Sequence, residues 1–149
     1  MKKWNGSLPV GEYVRCANGC RIHYLDEGAG DVVVFLHGSG PGASGYSNFK
    51  QNFPAFVEGG YRCLVIDQVG YGFSDKPEDL DYTLKFFVEC VIQVLDEIEI
   101  DRFSVIGNSL GGAIALGLAL DFADRVDKLI LMAPGGLSEM NEYQAMQGM

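Results

Sequence analysis

The sequence predicts an α/β fold: a sheet with parallel central strands, flanked by helices and preceded by an antiparallel hairpin. Three observations predict it. Four short runs, DVVVFL at 31–36, CLVI at 63–66, FSVI at 103–106 and LILM at 129–132, are apolar without alternation, as a strand must be when helices cover both of its faces. Between these runs lie segments whose apolar residues recur every three or four positions, the helical period. Ahead of the first run, Asn18-Gly19 separates two alternating segments, a strong short-range hairpin signal.

Each element follows in order. Residues 12–16 and 20–26 form the hairpin, with Val14, Ile22 and Tyr24 alternating against polar neighbours. A two-residue turn at Asn18-Gly19 would pair Ala17 with Cys20 and Cys16 with Arg21, so Cys16 and Cys20 would not face each other. The run at 31–36 is the first buried strand. A weaker helix is expected over 46–58, with Phe49, Phe53 and Phe56 on one side. After the strand at 63–66, residues 83–98 set Leu84, Phe87, Val88, Val91, Leu95 and Ile98 on one stripe. The strand at 103–106 leads into a helix at 109–122 that is apolar almost all round and should be the buried one. The last strand, 129–132, runs into the turn Ala133-Pro134-Gly135-Gly136 and a polar, Met-rich tail at 138–149. No repeat or linker divides the chain, so 1–149 reads as a single domain. A sheet that stops at 129–132 leaves a buried-type strand on its edge. The expectation is therefore a homo-oligomer, or a partner chain that covers this edge.

Composition narrows the function classes. The chain has 149 residues, 48% of them hydrophobic, and 11 basic against 20 acidic side chains give a net charge of −9. That balance repels nucleic-acid phosphates and anionic membranes. No 18-residue apolar run and no secretory leader pattern occur, so the chain reads as cytoplasmic with no membrane partner. Cys16, Cys20, Cys63 and Cys90 lack C-x-x-C or zinc-ligand spacing, which makes reduced structural cysteines the expectation. No metal or cofactor is implied, and the partner is a small-molecule substrate.

Two motifs carry chemistry. Gly107-Asn108-Ser109-Leu110-Gly111 matches G-x-S-x-G, follows a buried strand directly and opens a helix. That is the strand-turn-helix setting of a nucleophile elbow. It predicts a positive φ at Ser109, with the helix beginning at or just after it. His37-Gly38-Ser39-Gly40-Pro41 follows the first buried strand. The glycines Gly38 and Gly40 leave backbone N–H groups free to converge beside Ser109, so the amides of Ser39 and Leu110 are candidate oxyanion donors. A phosphate-binding loop is the alternative, but neither the spaced glycines and acidic residue of a dinucleotide site nor a Walker lysine is present.

The strings HGSGPGASGYSNF (37–49), DQVGYGFSDKP (67–77), GNSLGGAIAL (107–116) and LILMAPGGL (129–137) together resemble the α/β-hydrolase superfamily. Within it they are most similar to the meta-cleavage product hydrolases, which hydrolyse a carbon–carbon bond in vinylogous 1,5-diketones from aromatic ring degradation. The resemblance implies an α/β-hydrolase-type sheet and Ser109 as nucleophile. It also implies an oxyanion hole from the Ser39 and Leu110 amides, and Asn48 and Asn108 at the polar head of the substrate, with Gly38 and Gly40 against it.

The resemblance also implies a triad in chain order Ser, Asp, His, with a helical lid after the strand that ends near Met132. Neither histidine here sits in such a place: His23 lies in the hairpin and reads as structural, and His37 reads as shaping the oxyanion loop. Asp67 ends a strand, and its family counterpart belongs to a structural loop. The expectation is thus the N-terminal part of a hydrolase core that lacks the lid and C-terminal strands, with residues 138–149 leading towards the lid and a histidine outside this sequence activating Ser109. A carboxylesterase on the same scaffold and a truncated, non-catalytic assembly module are the alternatives.

Overall fold

The computed structural model describes residues 10–136. Its elements are β1 (Glu12–Arg15), β2 (Arg21–Glu27), β3 (Asp31–Leu36), α1 (Gly45–Phe49), α2 (Phe53–Glu58), β4 (Tyr61–Ile66), α3 (Leu84–Glu97), β5 (Phe103–Asn108), α4 (Leu110–Asp121) and β6 (Val126–Met132). The six strands form one sheet in the order β1-β2-β4-β3-β5-β6. Strands β4, β3, β5 and β6 run parallel, whereas β2 pairs antiparallel with both β1 and β4.

The pleat explains why β3 is apolar without a break from Val32 to Leu36. Val34 and Leu36 of β3 face the larger core with α3 and α4, where Val88, Val91, Leu95, Ile114 and Leu118 pack. Val33 and Phe35 point the other way, onto Phe49 and Phe53 of α1 and α2. Successive side chains alternate faces, and both faces are covered, so every position is apolar. This arrangement brings the carboxyl ends of β3, β4 and β5 side by side, which is where ligands bind in open α/β sheets.

Four expectations need correction. The hairpin loop holds three residues, not two: the Cys16 N–H donates to the Cys20 carbonyl at 2.8 Å and the Gly19 N–H to the Cys16 carbonyl at 2.9 Å. Cys16 and Cys20 therefore do face each other, in register with Arg15↔Arg21. Only Gly19 is left-handed, at φ +89, and the Asn18 side chain instead accepts from the Cys20 N–H at 2.9 Å. Such a turn with one left-handed residue closes a three-residue loop. All four cysteines are free and buried.

The helix expected at 46–58 is two helices. Pro54 occupies the first turn of α2, where its missing N–H is harmless. In one continuous helix it would lose a hydrogen bond and clash with the preceding turn. The helix α4 is not buried all round, since Leu120 is 79% exposed. Strand β6 begins three residues earlier than expected; its place at the sheet edge, with Ile130 48% exposed, agrees with the expectation that this strand is left uncovered. No helix among the described residues is long and apolar enough to cross a membrane.

Candidate active site

Ser109 occupies the junction of β5 and α4 with φ 54 and ψ −114, a region that non-glycine residues enter only when their surroundings impose it. The surroundings are visible. The Ser109 N–H donates to the Met132 carbonyl at 2.9 Å, and the Ser109 carbonyl accepts from Gly112, Ala113 and Gly135 at 2.9, 3.1 and 2.8 Å. The turn is also too tight for side chains on its flanks. A Cβ at Gly107 would lie 2.2 Å from the Gly111 carbonyl oxygen, and one at Gly111 would lie 2.0 Å from that of Leu36. Glycine at both positions lets α4 start against β3 and sets Ser109 at the end of the sheet.

The loop after β3 passes directly beside this elbow: a Cβ on Gly38 would sit 3.3 Å from Ser109 Cβ. The amides of this loop are not equivalent. The Gly38 N–H donates to Asn48 Oδ1 at 3.1 Å, so Gly38 has no donor left for a ligand and could meet one only through its backbone surface. The Ser39 and Leu110 N–H groups have no acceptor among the described residues. Gly40 is exposed with φ +136.

His37 is fully buried at the root of this loop. Its Nε2 accepts the Gln68 N–H at 3.0 Å, so the ring proton resides on Nδ1, which donates to the Gly38 carbonyl at 2.6 Å. Burial pushes the imidazole below its ordinary pKa against the pull of the Gly38 carbonyl and the Asp67 charge, so it is neutral. Tyr71 packs edge-on against it at 5.2 Å. With both nitrogens engaged, His37 has none to turn towards Ser109.

Asn48 and Asn108 meet at the elbow. Asn108 Nδ2 donates to Asn48 Oδ1 at 2.9 Å, alongside the Gly38 N–H, so one carbonyl ties three segments together. The Asn48 Nδ2 and the Asn108 Oδ1 keep no partner among the described residues and are the polar groups these side chains can offer a ligand.

His23 and Asp67 form a second cluster, which shares no hydrogen bond with Ser109, Asn48 or Asn108. His23 Nδ1 bonds Asp67 Oδ2 at 2.9 Å, and Asp67 also accepts the Gly45 N–H at 2.7 Å and the Phe73 N–H at 3.0 Å. Burial would raise the Asp67 pKa, but the His23, Phe73 and Gly45 hydrogen bonds outweigh it and hold it below the ordinary value. A cavity of about 320 Å³ lined by His23, Tyr46, Asp67 and Phe73 adjoins this pair, and Ser109 is not part of its wall. The structure therefore groups Ser109, Ser39, Leu110, Asn48, Asn108 and His37, and sets His23 and Asp67 apart. No group of three or more His, Cys, Asp or Glu residues among the described ones is placed to hold a metal ion. Sequence reasoning gave Gln68 no role, although it falls inside the string DQVGYGFSDKP; its only signal is a long polar side chain two residues beyond a buried strand.

Comparison with known proteins places this geometry. Residues 31–149 match the family model of the alpha/beta hydrolase fold. A 2-hydroxy-6-oxo-6-phenylhexa-2,4-dienoate hydrolase of Comamonas testosteroni is 41% identical over 78% of this chain and 41% of its own length. The structure of a meta-cleavage product hydrolase from Pseudomonas fluorescens IP01, complexed with acetates, superposes with a TM-score of 0.82 at 37% identity, covering 88% of this chain and 47% of that one. An esterase from Exiguobacterium antarcticum superposes at a TM-score of 0.80 with 29% identity, over 90% of this chain and 50% of its own. The chain thus spans about two fifths of the length of the curated relatives it matches.

Proposed function

The chain belongs to the alpha/beta hydrolase fold family, and from that premise we propose that it carries the nucleophile and oxyanion hole of a serine hydrolase that cleaves a carbon–carbon bond in a ring-fission product of aromatic degradation. The observation that carries this reading is the positive φ of Ser109 at the strand–helix junction, beside two backbone N–H groups, of Ser39 and Leu110, that have no described acceptor. A backbone so constrained presents its hydroxyl for attack, and the helix start behind it favours negative charge developing nearby. The relatives named 2-hydroxy-6-oxo-dienoate hydrolases support a substrate with a carbonyl for Ser109 to attack or to hydrate. The oxyanion would lie between the Ser39 and Leu110 amides, and Asn48 Nδ2 and Asn108 Oδ1 would meet the polar head. No cofactor takes part.

The base is the missing function among the described residues. His37 is locked by its own loop and His23 by Asp67, so a histidine from elsewhere in the working enzyme activates Ser109, and residues 10–136 act as the nucleophile-bearing part of the core. The exposed edge of β6 is where further chain, a second copy or a partner subunit would pair.

The test is steady-state hydrolysis of 2-hydroxy-6-oxo-6-phenylhexa-2,4-dienoate and of a p-nitrophenyl ester by the 149-residue chain, with Ser109→Ala as control. The expected result is slow turnover of both, because serine without a base is a weak nucleophile at neutral pH. Fast turnover abolished in Ser109→Ala would assign the base to His37 or a partner subunit. Fast ester turnover with none of the dienoate would favour the esterase reading, which the Exiguobacterium neighbour supports. Turnover unaffected in Ser109→Ala overturns the proposal.

A further inference from the structure

We infer that Gln68 is a positioning residue that sets the oxyanion loop in its working orientation through His37. This rests on the reading of Ser39 as an oxyanion donor and deepens it.

Gln68 lies two residues beyond the end of β4, is 2% exposed and grips His37 at two points. Its backbone N–H donates to His37 Nε2 at 3.0 Å, and its side-chain Nε2 donates to the His37 carbonyl. The first contact fixes the tautomer: with Nε2 an acceptor, Nδ1 carries the proton and holds the Gly38 carbonyl at 2.6 Å. The second fixes the peptide before it. No peptide bond among the described residues is cis, and in a planar trans peptide the carbonyl and the following N–H point in opposite directions. Holding the Gly38 carbonyl against the His37 ring therefore turns the Ser39 N–H away from that ring. A loop released from the ring could present the Gly38 carbonyl where the donor belongs, and no oxyanion would be stabilised there.

The other end of the amide supports a functional rather than a packing role. Gln68 Oε1 is buried with no hydrogen-bond partner among the described residues. Reversing the amide offers no relief, because it would set Oε1 against the His37 carbonyl oxygen. An unsatisfied buried acceptor opposes folding, but an apolar side chain of similar length would remove it only by leaving the buried His37 carbonyl without its donor, so it offers the fold no net gain in satisfied groups. What only the side-chain amide provides is the second grip, on the His37 carbonyl; the first comes from the backbone.

The experiment is Gln68→Met in the 149-residue chain, with Gln68→Leu as a second apolar variant should Met fold poorly. Three readouts are taken. The ¹⁵N signals of the His37 ring and the hydrogen-exchange rate of the Ser39 amide report the loop. The melting temperature reports the fold. Phenylboronic acid, whose tetrahedral adduct with Ser109 places an oxygen in the hole, is titrated by ¹¹B NMR, with Ser109→Ala as control. The expected result is altered His37 ring signals, faster Ser39 exchange, a melting temperature little changed because the unpaired Gln68 Oε1 is exchanged for an unpaired His37 carbonyl, and boronate affinity weakened on the order of ten-fold, short of the ~10²–10³ loss in kcat for removing a donor outright. Unchanged His37 and Ser39 signals overturn the inference, as does a lowered melting temperature with unchanged boronate affinity, which would make Gln68 a packing residue. If the unsubstituted chain fails to bind the boronate through Ser109 while the loop signals still respond to Gln68→Met, the nucleophile reading falls and the strut stands.

Discussion

Two buried histidines stand a short way apart at the same end of the sheet, and their surroundings differ in kind. His37 is held by uncharged groups alone, the Gln68 N–H and the Gly38 carbonyl, and burial keeps it neutral. His23 is held by a carboxylate that two backbone N–H groups also grip. The neutral cluster belongs to the loop beside Ser109, where a fixed tautomer sets the direction of a peptide. The charged cluster ties β2, β4, the start of α1 and the loop at Phe73 to one another, away from Ser109. Residue type and burial are shared; the partner decides whether an imidazole aims a loop or anchors a framework.

The largest expected effect comes from removing the charge. Asp67→Ala leaves the Gly45 and Phe73 N–H groups and His23 Nδ1 without their acceptor, and a loss of about 3–5 kcal/mol is expected, measured by urea unfolding. A loss below 1 kcal/mol would erase the distinction between the clusters. His37→Phe, which keeps volume but strands the Gln68 N–H and the Gly38 carbonyl, should cost about 1–3 kcal/mol by the same measurement, with its main effect on the Ser39 amide exchange rate.

The pH dependence separates the pair more sharply. The folded His37 has a pKa below its ordinary 6.5, so just below that pH the unfolded chain binds a proton that the folded chain does not. Stability therefore falls as pH drops below 6.5, at up to about 1.4 kcal/mol per pH unit, and His37→Phe should flatten this limb. Asp67 has a folded pKa below its ordinary 3.8. Its contribution is full above 3.8 and is lost as pH falls through the lower folded value, so Asp67→Asn should remove that acid limb and, by taking away the charge that raises the His37 pKa, extend the His37 limb to lower pH. Unfolding free energies measured at half-unit pH intervals decide both. The smallest expected change is Tyr71→Leu, which removes the edge contact on His37 for about 0.5–1.5 kcal/mol. Calorimetry should show it, with the acid limb of Asp67 untouched.

The sequence by itself determined the strand runs, the amphipathic helix at 83–98 and the positive φ at Ser109, because each is written in neighbouring residues: a period, or a glycine-flanked serine between an apolar strand and a helix. The resemblance of four short strings was enough to reach the fold family. Only the tertiary structure decided the partners. His23 finds Asp67 across 44 positions of chain, Gln68 finds His37 across 31, and Asn48 takes the Gly38 N–H that the glycine-rich loop was expected to leave free. The turn at Cys16 and Cys20 and the break before Pro54 were misread for a related reason, since a loop's length and a helix's end are settled by which hydrogen bonds the neighbouring chain completes. Such bonds join residues that strand order and register bring together, and neither composition nor periodicity carries strand order.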